Sequence, residues 1–207
     1  LAKQKNVPVK RVSLEALGSL CDHRNHQGAI CSRPQFRYSE LNEVLSSVKE
    51  KENSTIIRLD GIEDPVNFGS IIRSSTAFDV DAIIIGKNRQ VQVTATVSKI
   101  ATGGEEIIPI VQVTNLNQTI NTLKKNGYWV VSCAGEGKDV YDEIDYRGKI
   151  VLVIGSEGFG VSRLVRENSD FIASIPLPGK VKALNASIAA AVFLAQVNSS
   201  RRHPKKK

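Results

Sequence analysis

Apolar residues in this chain fall into short unbroken runs separated by stretches of helical period. The runs at 55–59, 82–85, 128–132, 150–154 and 171–175 are rich in Val and Ile and bounded by turn residues, the pattern of strands buried on both faces. Between them, apolar residues recur every three or four positions near 67–78, 93–102, 115–126 and 160–167, with a last such stretch at 186–198. Strand–helix alternation of this kind predicts an α/β fold, a parallel sheet with helices on both faces. Ahead of it, Leu41, Val44, Leu45 and Val48 predict a helix within 40–52. Val7, Val9, Val12, Leu14, Leu17 and Leu20 read as the last strand and turn of a larger unit, followed by a polar linker at 21–39 containing His23, Asn25, Gly28 and Pro34. Residues 186–197 are apolar on nearly every side, so this helix is expected to be covered all round, with a second copy of the chain over its outer face.

Charge adds a second layer. The net charge is +7, but it is carried by the ends. Lys3, Lys5, Lys10 and Arg11 precede the first acid, Glu15, and Arg201, Arg202, Lys205, Lys206 and Lys207 close the chain; without them the body is slightly acidic. Basic arms on a near-neutral body suit nucleic-acid phosphates, and suit a solubilising tail equally well. The longest apolar run, residues 188–195, is too short to span a bilayer. Three cysteines, Cys21, Cys31 and Cys133, without CxxC spacing fit a reducing cytoplasm. The chain starts at Leu1 and holds no methionine, so we read it as a piece of a longer protein.

Three glycine-bearing loops follow strands. In the first, Leu59-Asp60-Gly61-Ile62-Glu63-Asp64-Pro65-Val66-Asn67 leads into a helix with Asn67 at the expected N-cap, and Phe68, Ile71, Ile72, Ser75 and Phe78 form its apolar stripe. At ~100° per residue, Arg73 points roughly 160° away from that stripe. In the second, Gly155-Ser156-Glu157-Gly158-Phe159-Gly160 follows the strand at 150–154. The order is neither a dinucleotide fingerprint nor a P-loop, and Glu157 would repel a pyrophosphate. The third, residues 175–187, carries Pro176, Pro178 and Gly179 before Asn185 and Ser187, either of which could cap the last helix.

In order, D-P-x-N-x-G-x-I-x-R, G-x-E-G-x-G and I-P-x-x-G-x-x-x-x-L-N-x-S resemble the motifs of the SpoU (TrmH-type) RNA ribose 2'-O-methyltransferases of the SPOUT class, over about residues 53–198. His26-Gln27-Gly28 resembles the branch that methylates a guanosine of 23S ribosomal RNA. The resemblance implies a C-terminal trefoil knot, a homodimer, S-adenosylmethionine as cofactor, and RNA, ribosomal before transfer RNA, as substrate. It implies catalytic roles for Arg73, Asn67, Glu157 and Asn185, and cofactor contacts from Gly155, Ile175, Leu177, Leu184 and Ala134. Residues 1–52 would be the end of an L30e-like RNA-binding domain with linker and leading helix, 53–198 the methyltransferase domain, and 199–207 a basic tail. Many relatives carry Ser-Leu-Asn where this chain has Ala183-Leu184-Asn185, so a hydroxyl is absent at 183.

Two other enzyme-like readings are weaker. Ala134-Gly135-Glu136-Gly137 offers only G-x-G to a dinucleotide, and Cys21, His23, His26 and Cys31 match no zinc spacing, so no metal is expected. A non-enzymatic RNA-binding module would use the basic ends but would not need Arg73, Glu157 and Asn185. With 5% aromatic residues and no base-stacking motif, a single-strand stacking platform is disfavoured.

Overall fold

A computed structural model describes residues 2–21, 26–88 and 90–203, Lys3 by its backbone alone. His23 and Asn25 of the expected linker and the lysines at 205–207 of the expected tail lie outside the described residues. The chain divides into two compact units, 1–36 and 37–207.

The first unit holds a 3-10 turn at Lys3–Lys5 and one helix, α1 (Leu14–Leu20). No strand forms among its described residues, contrary to the expectation for 1–20. Val7, Val9 and Val12 are exposed, and a strand without a neighbour leaves its backbone unpaired. Leu14, Leu17 and Leu20 instead follow a helical spacing, started by Ser13, whose side chain accepts from the Ala16 N–H at 3.2 Å.

The second unit is a seven-stranded, all-parallel sheet. Its strands are β1 (Ser54–Asp60), β2 (Ala82–Gly86), β3 (Ile110–Val113), β4 (Trp129–Cys133), β5 (Asp139–Val140), β6 (Lys149–Gly155) and β7 (Phe171–Ser174), in the order β3-β2-β1-β6-β4-β7-β5. The helices are α2 (Leu41–Ser47), α3 (Pro65–Ala77), α4 (Ala95–Ala101), α5 (Leu116–Lys125), α6 (Arg163–Glu167) and α7 (Ala186–Arg202). Helices α2, α5 and α6 cover one face, packing Val44, Leu45, Val48, Ile120, Leu123 and Val165 onto Ile56, Ile84, Val130, Val151 and Val153. The alternate residues Ile57, Leu59, Leu152 and Ile154 turn to the other face, where α3 packs on α4 and α7. Each buried Ile, Leu or Val contributes about 1.5–3 kcal/mol relative to exposure, and this double-sided burial holds the sheet.

The sheet has two strands beyond those expected, β3 and β5, and both are edge strands. β3 is short, preceded by Pro109 and interrupted by Gln112; β5 has only two residues. An edge strand needs no continuous apolar run, so neither shows the pattern of a buried strand.

α7 leaves open the outer face that was expected to meet a second copy. Ala186, Ala190, Phe193, Leu194 and Val197 are buried, while Ile188 and Ala195 on the opposite side are exposed. Within one chain this helix is covered on one face only. It also runs four residues beyond the expected end, because Arg201 is held. Its guanidinium donates to the carbonyls of Tyr146, Ser54 and Gly148, each at 3.1 Å, which removes it from any free basic arm.

β1 and β6 lie side by side, with the chain moving outward from them in opposite directions. Open α/β sheets bind ligands at the carboxyl ends of strands near such a switch in order. The loops after β1, β4, β6 and β7 all emerge at that edge.

Candidate active site

The loop after β6 is a tight tip. Ser156 N–H donates to the Gly160 carbonyl at 3.2 Å and Gly160 N–H returns to the Ser156 carbonyl at 2.8 Å, so Glu157, Gly158 and Phe159 form the turn between them. Gly155 makes this possible: a Cβ there would lie 2.1 Å from the carbonyl carbon of Gly160. The missing side chain serves the loop's return on itself, not only close approach to a ligand. Asp60 at the end of β1 anchors the far side, accepting from the Ser162 N–H at 2.7 Å.

Glu157 is the centre of a polar cluster. Its Oε1 accepts from Asn67 Nδ2 at 3.0 Å, from Asn185 Nδ2, and from the Ala186 N–H at 3.4 Å. Asn185 Nδ2 also donates to Asn67 Oδ1 at 2.8 Å. Three motifs separated by 90 and 28 residues thus meet at one carboxylate oxygen. Each amide is fixed by its element. Asn185 is the N-cap of α7, its Oδ1 accepting from the Ser187 N–H at 2.9 Å, the Ser187 hydroxyl at 2.7 Å and the Ile188 N–H at 3.4 Å. Asn67 is not the cap of α3 as expected. Asp64 takes that place, its carboxylate accepting from the Val66 and Asn67 N–H groups at 3.2 and 3.0 Å, with Pro65 at the first helical position. That leaves the Asn67 side chain, almost fully buried, for Glu157 and Asn185.

Beside this cluster is a cavity of about 510 Å³. Ala134, Gly155, Ile175, Leu177 and Leu184, the five expected cofactor contacts, line it together with Glu157. Cys133, next to the expected Ala134, is in its wall, and Ile154 and Phe193 are wall residues that the expected contacts did not include. They look like core residues in the sequence, and only the fold brings them to the opening. Burial pushes the Cys133 thiol well above its usual range, so it stays protonated there. Glu136 also faces the cavity but is neutralised by Arg166, leaving Glu157 as its carboxylate without a cationic partner among the described residues.

Arg73 stands apart. It lies on the exposed side of α3, as its angle predicts, outside the cavity lining and with no polar partner among the described residues. The structure brings Asn67, Glu157 and Asn185 together within one chain, and leaves Arg73 on the surface.

The cavity falls within the volume range of cofactor sites. Ile154, Ile175, Leu177, Leu184 and Phe193 offer apolar walls for a flat heterocycle, and the backbone of three loops offers donors and acceptors. The free carboxylate favours a cationic group over a phosphate. These features fit a sulfonium-bearing nucleoside such as S-adenosylmethionine better than a dinucleotide.

An all-parallel sheet with a carboxylate–amide cluster and an apolar cavity at its switch point defines a ligand-binding α/β enzyme. Residues 54–195 match the model of the SpoU rRNA methylase family, and the chain belongs to that family of methyltransferases. It is 40% identical over 204 residues to a 23S rRNA (guanosine-2'-O-)-methyltransferase, RlmB, of Coxiella burnetii, covering 98% of this chain and 81% of the relative. It is 41% identical to a protein of Staphylococcus saprophyticus named for the TrmH family of tRNA/rRNA methyltransferases, covering 98% and 82%. Among solved structures, an AdoMet-bound rRNA methyltransferase from Sinorhizobium meliloti superposes with a TM-score of 0.76 at 25% identity, over 94% of this chain and 71% of that one. No helix among the described residues is long and apolar enough to cross a membrane.

Proposed function

We propose that this protein transfers a methyl group from S-adenosylmethionine to a ribose 2'-hydroxyl of RNA, with a guanosine of 23S rRNA as target, in the cytoplasm. The observation that carries the reading is the convergence of Asn67, Glu157 and Asn185 on the cavity that all five expected cofactor contacts line. The similarity to RlmB of Coxiella burnetii supports the choice of nucleotide.

When bound, S-adenosylmethionine supplies a methyl group attached to a positively charged sulfur. The chain's task is to hold the ribose oxygen in line with that methyl, and alignment alone accounts for a large part of such rate enhancements. Asn67 and Asn185 clamp Glu157, whose carboxylate stands on the wall of a cavity suited to a cationic ligand. Arg73 keeps its proton at any physiological pH, so it is no general base. With the neighbouring RNA phosphate it orients the 2'-hydroxyl, and it stabilises the charge developing on oxygen as the proton leaves to solvent. Ala183 offers no hydroxyl at its position, so a serine takes no part there.

We also propose that the working form is a homodimer, with the exposed Ile188–Ala195 side of α7 and Val66 of α3 covered by the second copy, and Arg73 completing the partner's site. The exposed apolar side of α7, and Arg73 standing outside the lining of its own cavity, support this. We assign residues 1–52 to the end of an RNA-binding domain with its linker and leading helix, and the loops after β6 and β7 to a trefoil knot. The test is transfer of a labelled methyl group from S-adenosylmethionine to unmodified 23S rRNA and to tRNA. Label in 23S rRNA at a single guanosine ribose is expected. Label in tRNA alone would shift the substrate, and label in neither would refute the reading.

A further inference from the structure

Phe159 is the most exposed large apolar side chain described in this protein, at 95%. Isolated exposed apolar residues are common and by themselves mean little. Phe159 differs in how it is held. It sits on the hydrogen-bonded tip after β6, its N–H 3.4 Å from the Ser156 hydroxyl, two residues from Glu157 and on the rim of the same cavity. Among the described residues nothing lies within 4 Å of where a side chain on Gly158 or Gly160 would begin, so space is open on either side of it. Its ring has no aromatic partner among the described residues, whereas Trp129, also exposed, packs against Phe171 with ring centres 6.1 Å apart.

We propose that Phe159 stacks on the base of the nucleotide being methylated, a specificity-determining contact that fixes the sugar by holding its base. The proposal rests on the methyl-transfer reading of the site. Residues two apart have Cα atoms no more than about 7 Å apart. A ribose whose hydroxyl lies at the Glu157 cluster therefore carries its base within reach of the Phe159 ring. The same mouth is lined by Lys182, and Lys180 is exposed on the same loop after β7, which suits a polyanion with splayed bases rather than a second protein surface. Sequence-selective contacts to RNA target unstacked bases in this way, with aromatic side chains as the platform.

The test uses the whole protein, an RNA fragment containing the mapped target nucleotide, and the variants Phe159→Ala, Phe159→Leu, Phe159→Tyr and Phe159→Trp. Base–aromatic stacking predicts a loss of roughly 5- to 150-fold in kcat/KM for RNA in the Ala variant. Leu should lose nearly as much, and Tyr and Trp should keep most activity. Affinity for S-adenosylmethionine and the mass in solution should not change. On RNA whose target nucleotide lacks its base, the wild type should fall to the level of Phe159→Ala, and the variant should lose little more. Full activity in Phe159→Ala or Phe159→Leu would overturn the proposal while leaving the methyltransferase reading intact. Weakened cofactor binding or a changed oligomeric mass would overturn it in favour of a cavity wall or a protein interface. Absence of transfer by the wild type would refute the site reading itself, and the proposal with it.

Discussion

Replacing Glu157 by Gln and by Ala should separate what its charge does from what its oxygen holds. In Glu157→Gln the amide oxygen can still accept from Asn67, Asn185 and the Ala186 N–H, so the cluster survives and the melting temperature should stay within about 2 °C. In Glu157→Ala the almost fully buried Asn67 amide loses its acceptor. Three hydrogen bonds go, but Glu157 is exposed and water can replace part of them, so the cost is about 1–2 kcal/mol rather than the sum of three buried bonds. For a chain of this size that lowers the melting temperature by roughly 2–8 °C. Activity should order differently. Both variants lose the unneutralised carboxylate beside the cavity, and methyl transfer should fall by about 100-fold or more in each, the size typical of removing one electrostatic group from an active site. Thermal unfolding and labelled-methyl transfer measured on the same preparations decide it. A folded Glu157→Gln enzyme working at the wild-type rate would refute the charge argument, and a Glu157→Ala protein as stable as wild type would refute the clamp.

Mixing Arg73→Ala with Glu157→Gln should restore about a quarter of the wild-type sites if each site takes Arg73 from the partner; no recovery after subunit exchange would contradict a shared site. Arg58 is about 1% exposed in β1, 3.4 Å from Asp60, with Nε and Nη1 lacking hydrogen-bond partners among the described residues and its pKa lowered by burial. Asp60 keeps its bond from Ser162, so Arg58→Met should raise stability by about 1–2 kcal/mol in chemical denaturation, and a loss of that size would contradict the account. Arg201→Ala should cost about 2–3 kcal/mol through three lost carbonyl contacts, with Lys a poor substitute for the guanidinium fork; measured RNA affinity should hardly change. At neutral pH a thiol reagent should label the exposed Cys31 faster than the half-buried Cys133, because burial holds the Cys133 thiol protonated above its ordinary range; faster labelling of Cys133 would contradict this.

The inner strands were legible because a strand covered on both faces must be apolar throughout, and Ile56, Ile83, Val130 and Leu152 all belong to such runs. Edge strands escape that requirement, and so β3 and β5 were invisible. The angle of Arg73 could be read from helical period alone, and the structure places it on the exposed side. The cap of α3 went to Asp64 because a carboxylate one residue before Pro65 satisfies two orphan N–H groups, a local contest that spacing does not rank. The meeting of Asn67, Glu157 and Asn185 followed from the motif resemblance, not from periodicity. It depends on β6 inserting between β1 and β4, which no local pattern encodes. Buried Arg58 had no signal of its own, since the run at 55–59 reads as a strand although an arginine stands inside it.

The most direct test of the central claim is a map of ribose 2'-O-methylation across ribosomal RNA from cells carrying the wild-type protein, the Glu157→Gln protein or neither. The account predicts one 23S rRNA guanosine methylated only with the wild type. An identical methylation map in all three would contradict it.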